Sequence, residues 1–323
     1  MLKTTLIVIT SAVVAGCGVI PKNFGILFGR AWCDVRYLDT ISEYQDYQTG
    51  EPEFRKKLDL SKAGYIYAVA AVLPLQIGND ETEFHFGTPE RLSEVSDLRI
   101  SKENGFQAMT FLLKDDKGVP TAVVISFAGS NEYRDYFLHN FALFPVQFAD
   151  ARDYTYRVAN DIRFSGLRVV ATGVSLGAGL AVHVKKTRPT SKFVNEVWAF
   201  NPSPRTDAPA NLDPDIYLLA NKYELLNQFE RSHLGASTAH TATDFGLINS
   251  SSFYAHYRWV ITRQILHYAD LAIYLESGKV TMTTEPMTLL QTQPISKRVC
   301  DENTRFAIKM QRARLSTDKN APR

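Results

Sequence analysis

Apolar and polar positions along the chain fall into blocks that alternate between helical and strand patterns. Ser61–Leu75 (Ser-Lys-Ala-Gly-Tyr-Ile-Tyr-Ala-Val-Ala-Ala-Val-Leu-Pro-Leu) is Ala-rich and closes near Pro74, which predicts a buried helix. Phe106–Leu113 has strand composition. The polar turn Lys114-Asp115-Asp116-Lys117-Gly118 and a second apolar run, Ala122–Phe127, follow it and predict a hairpin. Beyond that come a helix over 147–162, a β-branched strand Leu167–Thr172 and a helix Ser175–Lys186. Two further strands, Glu196–Phe200 and Asp215–Ala220, and a long helical stretch, Phe253–Glu276, complete the pattern. Strands alternating with helices after an initial hairpin predict an α/β fold, a mainly parallel sheet with helices on both faces.

The first residues break this pattern. A single positive charge, Lys3, precedes a neutral run from Thr4 to Gly16 that ends on small residues. This is the layout of a secretory signal, with a basic start, a short apolar stretch and a small-residue cleavage site. The run is too short to cross about 30 Å of hydrocarbon as a stable helix. Val14-Ala15-Gly16-Cys17 resembles the lipobox of bacterial lipoproteins, where cleavage falls just before the Cys. That resemblance implies acylation of Cys17 and attachment to a membrane surface through several acyl chains, which anchor durably where one does not. Gly18 rather than Asp follows, which points to the outer membrane of a bacterial cell envelope. In an oxidising compartment Cys33 and Cys300 can pair as a disulfide tying the ends of the folded domain, or stay as two thiols.

Composition narrows the classes further. The 323 residues suffice for one large α/β domain or two small ones. Hydrophobic residues at 45% and charged residues at 22% argue against extended disorder. Lys plus Arg is 36 against 34 for Asp plus Glu, a net charge of +2, which offers nucleic acid no basic field. There is no H-E-x-x-H, no paired C-x-x-C and no P-loop, so neither a metal nor a nucleotide cofactor is expected. Nothing in the sequence sets the oligomeric state.

The chemical signal is Gly173-Val174-Ser175-Leu176-Gly177, lying directly between an apolar strand and a helix. That is the setting of a nucleophile elbow, in which a crowded, strained turn needs small residues around the Ser and projects its hydroxyl from the sheet edge. The helix start then points its N–H groups at the reacting centre. The bland reading is a tight strand-to-helix turn with a structural Ser.

A second apolar strand, Val123-Val124-Ile125-Ser126-Phe127, runs into Ala128-Gly129-Ser130, and Arg134-Asp135-Tyr136-Phe137 follows. With Thr172-Gly173-Val174-Ser175-Leu176-Gly177-Ala178, these segments resemble the class 3 lipase family of α/β-hydrolases over residues 60–275. That family carries a strand ending Phe-Arg-Gly-Thr/Ser, an Asp-aromatic segment and Thr-Gly-His-Ser-Leu-Gly-Gly. Ala128 stands where the family has Arg, and Val174 where it has His; neither is a triad position. The resemblance implies an α/β-hydrolase fold, an oxyanion hole from Ser130 and Leu176, and carboxylic esters, lipids above all, as substrates. The Leu176 N–H, at the helix start, is also suited to that task on general grounds.

In α/β-hydrolases the acid and then the His follow the Ser along the chain. Glu224 lies just beyond the strand Ile216–Ala220 and fits the orienting acid; Asp244, twelve residues before His256, is the rival. Of the seven histidines, His85, His139 and His183 precede Glu224 and are out of order. His233 and His240 lie in a polar loop. His256 opens the long helical stretch and is preferred as the base, with His267 as alternative. On one continuous helix the two would lie roughly 16 Å apart, so only one can reach Ser175. An aromatic segment with Tyr133, Tyr136, Phe137, Phe141, Phe144 and Phe148 is either core or a lid over the site.

These readings divide the chain into a signal peptide over 1–16, an N-terminal anchor and extension over 17–60, a hydrolase domain over 61–299 and a charged tail over 300–323. They predict a secreted, lipid-anchored serine hydrolase acting on lipid or other carboxylic esters. The alternatives are an acyltransferase or thioesterase using the same triad, and a surface lipoprotein that has the fold without the chemistry.

Overall fold

The computed structural model describes residues 26–28, 51–78, 84–129, 133–247, 249–250, 252–277 and 284–292. The signal segment, Cys17, Cys33, Ser130, Cys300 and the charged tail lie outside the described residues. Apart from a small antiparallel pair, β1 (Ile26–Phe28) with β10 (Asn249–Ser250), the described strands form one eight-stranded sheet. The short β2 (Leu92–Glu94) and β3 (Ile100–Ser101) pair antiparallel with β4 (Gln107–Lys114). β4 and β5 (Pro120–Phe127) form the expected hairpin, in the register Ala108 opposite Phe127. From β5 the sheet continues in parallel through β6 (Arg168–Val174), β7 (Val194–Phe200), β8 (Ile216–Asn221) and β9 (Thr241–Phe245).

Helices cover both faces, which is why the inner strands are apolar on both sides. On one face α1 (Pro52–Gln76) packs against the sheet and against α5 (Arg258–Ser277), with α6 (Glu285–Thr292) beside α5. Val69, Val72, Val124, Val170, Trp198 and Ile265 meet there. On the other face α2 (Tyr133–Ala159) and α3 (Leu176–Lys186) close over Ile125, Ala171 and Val197. α1 is long and apolar enough to cross a membrane by length and composition, yet most of it is buried between the sheet and α5.

Several boundaries differ from the sequence reading. α1 begins at Pro52, so the expected domain start at residue 61 falls inside it. Its first turns are polar outward, but Phe54 and Leu58 are buried and the Lys57 ammonium pairs with Asp244 at 2.6 Å. α2 starts at Tyr133 rather than 147, so the aromatic segment forms its N-terminal half. Phe148, midway along α2, is buried and stacks on His183 with ring centroids 4.5 Å apart. β9 occupies a stretch that read as polar loop, because this last strand buries only Ala242 and Phe245 and leaves Asp244 outward. The long helix expected over 253–276 is broken: α4 (Ser252–Ala255) ends, His256 and Tyr257 form a turn, and α5 begins.

Candidate active site

Ser175 sits between β6 and α3 with φ 57° and ψ −119°, a conformation that side-chain-bearing residues rarely adopt. The surroundings fix it there. Its N–H donates to the Phe200 carbonyl at 2.9 Å, and its carbonyl accepts from Gly179 (3.1 Å) and Ser203 (3.0 Å). The glycines on either side are obligatory. A Cβ on Gly173 would lie 2.3 Å from the Gly177 carbonyl carbon, and one on Gly177 would lie 2.1 Å from the Phe127 oxygen. The first turn of α3 thus rests directly on the ends of β5 and β6. Leu176 is the first residue of α3, its side chain buried, and N–H groups in a first helical turn have no partner within the helix.

The end of β8 and the turn between α4 and α5 bring the remaining groups to Ser175. The Nε2 of His256 lies 2.9 Å from Ser175 Oγ, and its Nδ1 lies 2.6 Å from Glu224 Oε2. With Nδ1–H donating to the carboxylate, Nε2 is free to accept from the hydroxyl, and this network assigns the tautomer. Glu224 follows β8 by three residues and caps a short turn, its Oε2 accepting from the Leu226 N–H at 2.8 Å. Its side chain is 0% exposed, while that of His256 keeps 11%. The guanidinium of Arg231 holds the other carboxylate oxygen and donates from Nε to the Pro202 carbonyl at 3.1 Å. Burial alone would raise the Glu224 pKa. The His256 hydrogen bond and, once that ring is protonated, its charge, together with the Arg231 cation and the Leu226 N–H, outweigh it and hold the carboxyl below its usual range.

A chain of buried amides fixes the His256 turn. Asn201, at φ 42° just past β7, accepts from the Asn221 N–H at 2.9 Å and donates to the Ala255 carbonyl at 3.3 Å. Asn221 donates to the same carbonyl at 2.5 Å, and Gln264 of α5 donates to Asn221 Oδ1. Gln264 Oε1 in turn accepts the Leu247 N–H at 2.6 Å. The residue preceding His256 is therefore tied to the ends of β7 and β8 and to α5 at once.

The alternative assignments are not brought to the site. Asp244 lies on β9 in its ion pair with Lys57, away from the His256 Nδ1 that Glu224 occupies. His267 is buried within α5, close to three turns beyond His256. His233 and His240 bond the carbonyls of Pro204 and Pro214. His183 binds Thr206 O at 2.7 Å through Nδ1 and Arg152 Nη1 at 2.6 Å through Nε2. Arg231, Asn201, Asn221 and Gln264 carry no motif and escaped the sequence reading; only their nearness in sequence to strand ends and to Glu224 or His256 marks them.

A mainly parallel sheet clad on both faces, with a serine elbow between a central strand and a helix, is the α/β-hydrolase architecture. No protein-family model and no curated protein matches the chain. Among solved structures it is similar to a lipase from Rhizopus microsporus var. chinensis, at 12% identity over 64% of this chain and 89% of that one, with a TM-score of 0.42. It is also similar to the extracellular lipase LipA from Serratia marcescens, at 17% identity over 59% of this chain and 43% of that one, with a TM-score of 0.31.

Proposed function

We propose that the protein is a serine ester hydrolase in which Ser175 is the nucleophile, His256 the general base and Glu224 the orienting acid. One observation carries this reading: the continuous relay from Ser175 Oγ to His256 Nε2 (2.9 Å) and from His256 Nδ1 to Glu224 Oε2 (2.6 Å), built on a strained elbow. Ser175 Oγ attacks the ester carbonyl as His256 takes its proton. The imidazolium, steadied by Glu224, then returns the proton to the departing alcohol, and water attacks the acyl-enzyme by the same route. The Leu176 N–H, with Ser130, is assigned to the developing oxyanion, where losing one donor costs about 3–4 kcal/mol.

Lipid esters are the proposed substrates, on the resemblance of the two strand-turn segments to class 3 lipases. The lipobox-like Val14-Ala15-Gly16-Cys17 supports anchoring of the mature chain to the outer membrane of a bacterial envelope through acylated Cys17. Covalent labelling of the folded protein by a fluorophosphonate tests the chemistry. Labelling lost in Ser175→Ala and after heat denaturation supports it, and no labelling of folded protein, with or without detergent micelles, overturns it. Ester panels with and without a thiol or alcohol acceptor then separate hydrolysis from acyl transfer. Incorporation of labelled palmitate that vanishes in Cys17→Ala tests the anchor.

A further inference from the structure

We infer that Arg231 is a positioning residue that keeps Glu224 ionised while His256 is neutral, and thereby sets the lowest pH at which the base works. The inference rests on the hydrolase reading above and concerns a requirement of that site. In the resting relay the imidazole is uncharged, so it offers Glu224 a hydrogen bond but no cation. A carboxylate with a fully buried side chain and no cation takes up a proton instead of staying charged. Arg231 supplies the standing cation, from the same β8–β9 connection, on the oxygen that His256 does not use.

Stability alone does not account for this arginine. Its side chain is 7% exposed, its Nε is spent on Pro202 O, and its Nη1 is buried with no hydrogen-bond partner among the described residues. A buried ion pair of this kind is often replaceable by packed apolar residues without loss, and an unmet buried donor is a net cost. What the arrangement secures is the charge and direction of one carboxylate. Among the described residues, the charged or titratable groups in contact with the Glu224 carboxylate are His256, from the turn between α4 and α5, and Arg231. The β7 side contributes the Pro202 carbonyl to Arg231, and the acid's own turn contributes the Leu226 N–H.

The sign of the effect follows. Without the Arg231 cation the Glu224 charge is offset less, so the Glu224–His256 pair takes up its proton at a higher pH and the base is lost sooner on acidification. Arg231→Met, Arg231→Gln and Arg231→Lys are compared with wild type, each checked for folding by circular dichroism. Two readouts are taken against pH: the rate of fluorophosphonate labelling at Ser175, and the His256 Nδ1–H proton resonance in histidine-labelled protein. In the Met and Gln variants labelling should slow about 10- to 100-fold at neutral pH, and the acid limb should rise by about one pH unit or more. Arg231→Lys keeps the charge and should keep the acid limb while losing rate. If the Met variant fails to fold, the Gln and Lys pair decides. An acid limb unmoved in the folded neutral variants, whatever their rate, assigns Arg231 a purely structural part and overturns the inference. If wild type does not label, the hydrolase reading fails, and the Nδ1–H titration still decides whether Arg231 governs the Glu224–His256 pair.

Discussion

Ser126 Oγ donates a 2.7 Å hydrogen bond to the Ala70 carbonyl, the group that Pro74 leaves without its helical partner. Both residues are fully buried, so the sheet supplies from β5 what the helix interior cannot. Ser126→Ala should therefore cost about 1–3 kcal/mol, the penalty of stranding a buried acceptor. In a Pro74→Ala background, where the helix restores its own N–H, the same change should cost less. Denaturant titrations of the four proteins in the cycle measure the coupling, and additive losses would refute it.

The two candidate bases separate by substitution. His256→Ala and Ser175→Ala should each abolish fluorophosphonate labelling, and Glu224→Gln should slow it by about 10⁴-fold through loss of the correct tautomer. His267→Asn should leave the labelling rate of folded protein intact and lower Tm, because that ring is buried in α5 away from the elbow. Loss of labelling in folded His267→Asn would reverse the assignment.

How much of this was legible in the chain depended on whether the signal was local. The elbow was, because Gly173, Ser175 and Gly177 answer to sterics within five residues and to the strand and helix on either side. The inner strands were, because burial on both faces leaves uninterrupted apolar runs. β9 was not, since this last strand buries only Ala242 and Phe245, and its polar Thr241, Thr243 and Asp244 read as loop. The break at His256 was also hidden: apolar periodicity continues from 253 to 276, and the turn is imposed by Asn201 and Asn221 from distant strands. Arg231 was invisible for the same reason, as its partners Glu224 and Pro202 come together only when β7 and β8 align.

Those distant amides carry a prediction of their own. Asn221→Leu removes the donor to the Ala255 carbonyl and the acceptor for Gln264, loosening the turn that aims His256. A displacement of about 1 Å at a catalytic group costs on the order of 100-fold in rate. The loss should fall on kcat, with KM for a soluble ester little changed, since these amides lie behind the base. Gln264→Glu, which keeps the shape and an acceptor for the Leu247 N–H, should lose less than Gln264→Leu. Steady-state kinetics on a soluble ester supply the split; a change confined to KM would place the network in substrate binding instead.

Acidification should lower the stability of the protein in two separable steps. His183 is held neutral: burial lowers its pKa from 6.5, and Arg152 beside Nε2 adds to the effect. The unfolded chain binds that proton first, so the stability that the neutral ring confers is present above pH 6.5 and is lost as pH falls through the depressed value. The Glu224 carboxyl, held below the ordinary value of 4.5, behaves alike at lower pH: its contribution is full above 4.5 and disappears as the folded-state value is crossed. Stability measured by urea titration should therefore fall on acidification first below about pH 6.5 and again below about pH 4.5. In His183→Gln, which preserves hydrogen bonding without titrating, the upper step should vanish while the lower one persists. A profile for that variant parallel to wild type between pH 7 and 5 would show that His183 is not the group responsible.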